Sequence, residues 1–136
     1  MKVFLGGTCN NSKWRETLIP LLECDYFNPV VEDWTPECMD EELRQRELCD
    51  YNLYVLTPYM TGVFSIAEVI DDSNKRPTKT ILCVLEEDGK AIWSPAQFKS
   101  MSQVCRMASE NGAMVCNTLG AVALFLNKGL RRAQRI

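Results

Sequence analysis

The sequence predicts a doubly wound α/β fold built on a five-stranded parallel sheet. Short apolar runs alternate along the chain with longer segments of helical periodicity. The runs at residues 52–57 and 79–85 lack the in–out alternation of a half-exposed strand, as expected for strands covered on both faces. The 136 residues contain no linker or internal repeat, so we expect one domain over residues 1–136.

Residues that interrupt extended structure bound the strands. Gly6-Gly7 is expected to end the first apolar run, and Pro29 stops the second. The third and fourth runs are apolar throughout, and the fifth follows the Asn111-Gly112 pair that ends a helix. The predicted strands cover residues 2–5, 25–28, 52–57, 79–85 and 113–116.

The helices are predicted from their start signals and their periodicity. Ser12 is placed as the N-cap of the first helix, and Pro20 predicts a kink or an early end in it. Ser94-Pro95 puts serine at the N-cap and proline at the first helical position, and Asn117 or Thr118 caps the last helix. The predicted helices cover residues 13–23, 38–49, 64–73, 95–109 and 118–130.

The composition excludes several kinds of chemistry. Histidine is absent, which excludes Ser-His-Asp and Cys-His catalysis as well as histidine-ligated metals. The seven cysteines include no C-x-x-C pair, so we expect free thiols, no metal site and no cofactor. Carboxylates remain as the versatile catalytic groups.

Charge and hydropathy indicate the environment. The net charge is −3, which argues against nucleic-acid binding, and the basic cluster Arg131, Arg132 and Arg135 is interpreted as a solvated helix end. No signal peptide or membrane-crossing run is evident, and free thiols suit a reducing compartment. We therefore expect a cytoplasmic protein with no membrane partner.

Ligands of doubly wound folds bind beyond the carboxyl ends of the strands. After the first strand, Gly6, Gly7 and Thr8 form either a cradle for a sugar or phosphate or merely a tight turn. After the second, Asn28 and Trp34 are available; Trp34 either stacks on a flat ring or folds onto the core.

Glu68 is the most informative candidate. It follows the third strand, with Thr57 and Gly62 leading into its helix, and it stands in an otherwise apolar run. An acid on the buried side of a helix is costly unless it is paired or used, and Ser65 falls on the same face. The alternative is an exposed acid on the solvent stripe. Asp50 precedes the third strand, a position that favours ending a helix over contacting a ligand.

These residues resemble the nucleoside 2-deoxyribosyltransferase-like superfamily, particularly its small phage and bacterial branch. The matching stretches, in order, are KVFLGG, SKWRETLIPLL, FNPVVEDW, CDYNLYVLTP and TGVFSIAEV. The resemblance implies a flavodoxin-like sheet in the order 2-1-3-4-5. It also implies a small nucleoside or nucleotide as the partner and a homo-oligomeric assembly.

The resemblance further implies cleavage or transfer of the N-glycosidic bond of (2′-deoxy)nucleosides or nucleoside 5′-monophosphates. The glutamate matching Glu68 attacks C1′ of the sugar and forms a glycosyl-enzyme, as in a retaining glycosidase. The aspartate matching Asp50 lies near base and sugar in the family, and Asp33 matches an acid of the small branch that could protonate the base.

Two positions depart from the family pattern. The usual tyrosine of the first strand is Phe4 here, and the usual aspartate six residues before the nucleophile is Gly62. A protein that binds a nucleotide without cleaving it is therefore the alternative function. A scaffold with a vestigial site, its crevice filled by a side chain such as Trp34, is a third possibility.

Overall fold

The computed structural model describes residues 1–134 and contains a five-stranded parallel sheet. The strands of this sheet are β1 (Lys2–Gly7), β2 (Asp25–Phe27), β3 (Tyr51–Leu56), β4 (Thr80–Val84) and β7 (Met114–Cys116). They lie in the order β2-β1-β3-β4-β7 and all pair in parallel. Strands β5 (Glu87–Asp88) and β6 (Ala91–Ile92) form a separate antiparallel hairpin. Counted within the main sheet, the predicted order 2-1-3-4-5 is confirmed.

The described residues contain five α-helices, of which four connect strands and the fifth follows β7. They are α1 (Trp14–Leu18), α2 (Pro36–Leu48), α3 (Phe64–Lys75), α4 (Pro95–Glu110) and α5 (Leu119–Gln134). The predicted capping box of α4 is present, because Ser94 Oγ accepts the Gln97 N–H at 3.1 Å and Gln97 Oε1 accepts that of Ser94 at 2.9 Å. Thr118 caps α5 by accepting the Ala121 N–H.

Side chains alternate between two cores, one on each face of the sheet. Val3 and Leu5 of β1 belong to the core under α1 and α5, whereas Phe4 belongs to the core under α3 and α4. In β3, Leu53 and Val55 point to the first face, while Tyr54 and Leu56 point to the second. This two-sided burial explains the apolar runs that predicted the sheet.

The predicted cap of the first helix is wrong, whereas the early end predicted from Pro20 is confirmed. The helix ends at Leu18 and continues only as a 3₁₀ turn over Ile19–Leu21, because Pro20 cannot supply the N–H that an α-helix needs. Ser12 does not cap it: its hydroxyl donates to Asp88 Oδ2 at 2.5 Å, and Lys13 holds the cap position without a side-chain bond.

The glycine pair does not end the first strand, which continues through Gly7. Gly7 has φ +118°, and a Cβ there would lie 2.1 Å from the carbonyl oxygen of Val55. A Cβ at Gly6 would lie 2.8 Å from ring carbons of Tyr54. Both glycines therefore allow close packing of β1 against β3.

Within the described residues, no helix is long and apolar enough to cross a membrane. Of the basic cluster, Arg131 pairs with Glu23 at 2.9 Å, whereas Arg135 lies outside the described residues.

Candidate active site

Two buried threonines join the carboxyl ends of β1 and β3. The backbone N–H of Thr8 donates to Val55 O at 2.9 Å, and that of Thr57 donates to Thr8 Oγ1 at 2.9 Å. Thr57 Oγ1 in turn accepts the N–H of Tyr59 at 3.2 Å. Both hydroxyl oxygens thus hold the turns that shape this edge of the sheet.

Arg15, a buried arginine of α1, holds the carboxyl end of β1 in place. Arg15 donates to Leu5 O at 3.1 and 3.0 Å and to Thr8 O at 2.8 Å, and Trp14 Nε1 donates to the same Thr8 oxygen at 2.8 Å. Burial lowers the pKa of Arg15 from its ordinary value. Sequence analysis missed this residue, because an arginine in an amphipathic helix is usually solvated.

A small cavity of about 140 Å³ opens at this edge. Four predicted residues line it, namely Gly7, Thr8, Gly62 and Ser65; the other lining residues are Cys9, Asn10, Met60, Thr61 and Phe64. The volume is below the range of typical ligand pockets, so it suits a fragment such as a sugar or a phosphate rather than a whole nucleoside.

Glu68 lies one helical turn beyond Ser65 but does not line this cavity. Its side chain is 14% exposed, and Oε2 is 3.7 Å from Nη1 of Arg46 on α2. Burial raises the pKa of Glu68 to about 7; Arg46 acts in the opposite direction, and the charges of Glu42 and Asp72 add to the rise. The carboxyl is therefore partly buried, as the apolar run predicted, and its pKa lies well above the ordinary value.

A buried polar network beside Glu68 was not found from the sequence. Its centre is Asp72, which is 0% exposed and accepts hydrogen bonds from Arg46, Arg76, Asn52 and Tyr54. Asn52 and Tyr54 stand in a strand covered on both faces, where polar side chains need partners. Asn52 and Tyr54 are therefore the residues from which the sequence could have predicted this network.

A larger cavity of about 960 Å³ lies at the carboxyl ends of β4 and β7. Its lining is mainly apolar, and its polar members are Glu86, Glu87, Ser102, Asn117 and Thr118. None of the predicted site residues lines it. Within residues 1–134, no group of three or more His, Cys, Asp or Glu side chains is placed to hold a metal ion.

Comparison with known families identifies the chain. A family model described as "Nucleoside 2-deoxyribosyltransferase like" matches residues 1–87, which is more than half of the sequence. The chain belongs to this family. No curated protein matches it significantly. Membership in the nucleoside 2-deoxyribosyltransferase-like family supports a role related to glycosyl transfer and a small nucleoside as the ligand.

The remaining predicted site residues do not line the small cavity. Asp50 lies at the amino ends of β1 and β3, the sheet edge opposite the small cavity, where its Oδ2 accepts the backbone N–H of Lys2 at 2.8 Å. Asn28, Asp33 and Trp34 are exposed on the loop after β2, and Asn28 Oδ1 accepts the N–H of Val30 at 3.1 Å. Trp34 is 57% exposed, so it neither folds onto the core nor fills the cavity.

The two positions that depart from the nucleoside 2-deoxyribosyltransferase-like pattern differ in their surroundings. Phe4 is buried, with its ring centroid 5.9 Å from that of Phe27 and 6.1 Å from that of Tyr54. Gly62 is exposed, and a Cβ there would meet no atom within 4 Å. Residue 62 therefore has room for a side chain at the mouth of the cavity.

Proposed function

We propose that this protein cleaves or transfers the N-glycosidic bond of (2′-deoxy)nucleosides or nucleoside 5′-monophosphates, with Glu68 as the nucleophile. The observation that carries the proposal is a partly buried, unusually basic carboxyl on the helix that follows β3, within the segment that matches the family. Buried groups with displaced pKa values concentrate at functional sites.

In the proposed reaction, ionised Glu68 Oε attacks C1′ of the sugar. The C1′–N bond breaks, and its electron pair leaves with the base, which takes a proton from an acid; Asp33 is our candidate for that acid. Water or a second base then attacks C1′, and the ester C–O bond returns its electrons to Glu68. The proton of the incoming nucleophile restores the acid.

The test is incubation of the protein with 2′-deoxynucleosides and with nucleoside 5′-monophosphates, followed by chromatography for the free base. We expect base release by the wild type and its loss in Glu68→Gln. Glu110→Gln is the matched control, since Glu110 is an exposed acid on α4 that pairs with Arg106. A new nucleoside formed after addition of a second base identifies a transferase, and its absence a hydrolase. A folded wild type that releases no base from any substrate would refute the proposal.

Non-catalytic nucleotide binding is the second candidate. Glu68 does not line the small cavity, and Phe4 has no hydroxyl to orient it, which favours a ligand that is held without attack. Titration calorimetry with nucleoside monophosphates distinguishes the two candidates. Tight binding with the ligand recovered intact supports this one, and release of base excludes it.

We also propose that the protein acts as a cytoplasmic homo-oligomer. Exposed leucines on two helices support self-association, namely Leu43 and Leu48 on α2 and Leu124 on α5. Light scattering after size exclusion should give a mass of at least twice the 15.5 kDa chain. A Leu48→Lys variant should shift the mass toward that of one chain, and a purely monomeric wild type would contradict the proposal.

A further inference from the structure

The guanidinium of Arg46 is buried in the last turn of α2 and is held on two sides. Its Nε donates to Asp72 Oδ2 at 3.2 Å, and its Nη2 donates to Asp72 Oδ1 at 2.9 Å. Nη2 also donates to Asp71 Oδ2 at 3.1 Å. A forked pair of this kind fixes both the position and the plane of the arginine.

Asp72 is itself immobilised by donors from other elements. Tyr54 OH and Asn52 Nδ2 donate to its Oδ2 at 2.5 and 3.3 Å, and Arg76 Nη1 donates to its Oδ1 at 2.5 Å. Asn52 Nδ2 also donates to the backbone oxygen of Arg46 at 2.7 Å. The backbone of Arg46 is thus bonded directly to β3, and its side chain is linked to the same strand through Asp72.

This arrangement leaves the Nη1 edge of Arg46 directed at Glu68. The 3.7 Å separation of Nη1 and Glu68 Oε2 is an ion-pair distance, longer than a hydrogen bond. Three charged groups act on the Glu68 carboxyl, namely Arg46 and Glu42 from α2 and Asp72 from α3. Arg46 is the positive one among them.

We infer that Arg46, anchored by Asp72, is the positioning residue that orients Glu68 and keeps its carboxylate available for attack. The inference rests on the proposed function, in which Glu68 must be ionised. Because Nε and Nη2 are engaged by Asp72 and Asp71, the guanidinium stays in place when Glu68 is esterified and is ready when the carboxylate returns.

The electrostatic consequence is measurable. Loss of a positive charge at this distance raises a carboxyl pKa by roughly one unit or more. At pH values below the Glu68 pKa, the ionised fraction then falls about tenfold for each unit of that rise.

The experiment compares Arg46→Gln, Arg46→Lys and the wild type, with Arg44→Gln as the matched control. Arg44 lies on the same helix but is exposed and pairs with Glu41. Two quantities are measured: the pH dependence of kcat/KM, and the Glu68 titration by carbon-13 NMR, assigned with Glu68→Gln. The NMR titration needs no substrate.

In Arg46→Gln we expect two pKa values to rise together by about one unit or more: that of the acid limb of the kcat/KM profile and that of Glu68 measured by NMR. Raising the pH should then restore part of the activity, which a merely structural defect would not allow. Arg46→Lys should keep the pKa of the acid limb nearer its wild-type value but lower kcat. Lysine supplies the positive charge but cannot form the paired hydrogen bonds of the guanidinium to Asp72. Arg44→Gln should change neither quantity.

A folded Arg46→Gln with both quantities unchanged overturns the inference. If that variant does not fold, Arg46→Met with Asp72→Asn removes both buried charges together. A smaller upward shift is then expected, because loss of the Asp72 charge offsets part of the loss of Arg46. A wild type without base release refutes the proposed function instead. The Glu68 titration then still decides whether Arg46 controls this carboxyl.

Discussion

Tyr54 donates its phenolic hydrogen to Oδ2 of the fully buried Asp72, and this contact connects the centre of the sheet to α3. Burial and the Asp72 carboxylate raise the pKa of Tyr54, so the hydroxyl remains a donor throughout the accessible pH range. The oxygen of Asp72 that accepts this bond also accepts from Arg46. Tyr54 therefore supports the arginine that faces Glu68.

We expect Tyr54→Phe to lower the free energy of unfolding by about 1.5–3 kcal/mol, because a buried carboxylate loses one of its hydrogen bonds. Urea unfolding measures the change. Tyr26→Phe on β2 is the matched control, since Tyr26 is an exposed tyrosine, and it should alter stability by less than about 0.5 kcal/mol. Equal effects of the two substitutions would contradict the importance of the Tyr54–Asp72 bond.

Glu68 should destabilise the protein at high pH. Its pKa is about 7 in the folded state against an ordinary value of 4.5, so the folded state binds the proton more tightly than the unfolded state. Its favourable contribution is complete below about pH 4.5 and is lost as the pH rises through 7. Above pH 7 the penalty amounts to as much as about 3 kcal/mol.

Glu68→Gln, which cannot ionise, should therefore be more stable than the wild type at pH 8. The difference in unfolding free energy should shrink toward pH 5. Denaturant unfolding of both proteins across this range measures it, and Glu110→Gln should show no such trend. A difference that is constant with pH would mean that Glu68 titrates near its ordinary value.

Alanine substitutions at Gly7 and Gly62 test the close packing of β1 on β3, with Gly62 as the control position. At Gly7 an alanine Cβ would meet the Val55 carbonyl in a backbone conformation of φ +118°, whereas at Gly62 it would meet nothing. Gly7→Ala should lower the free energy of unfolding by more than about 3 kcal/mol or prevent folding, since strain and overlap combine. Gly62→Ala should be neutral or slightly stabilising. Thermal unfolding of the two variants gives the comparison, and similar midpoints would contradict the packing of β1 on β3.

Much of the fold follows from the sequence because its signals are local. The uniformly apolar third and fourth strands predict the two-sided sheet, and Ser94-Pro95 predicts the start of α4 correctly. The Gly6-Gly7 pair gave the wrong end for β1, because glycine is needed there for close packing against the neighbouring strand and not for a turn. The partial burial of Glu68 was predicted because an acid interrupts an apolar run. Its partner Arg46 was not, since α2 is charged throughout and the sequence does not say which charge turns inward.

Gly62→Asp should increase the proposed base release. In the family pattern an aspartate stands six residues before the nucleophile, and in this chain that place is an exposed glycine at the mouth of the small cavity. The site has open space, and Gly62 does not have a left-handed φ, so aspartate fits without strain. A carboxyl there would supply an acid for the leaving base, and general acids contribute about 10²–10⁴-fold to such steps.

The measurement is the rate of base release by Gly62→Asp relative to the wild type at pH 6. Gly62→Asn is the control, because it matches the shape of aspartate but cannot transfer the proton. We expect at least about a tenfold gain for aspartate and none for asparagine. Equal rates for aspartate, asparagine and glycine would show that protonation of the base is supplied elsewhere, and would leave Asp33 as the acid to be tested by Asp33→Asn.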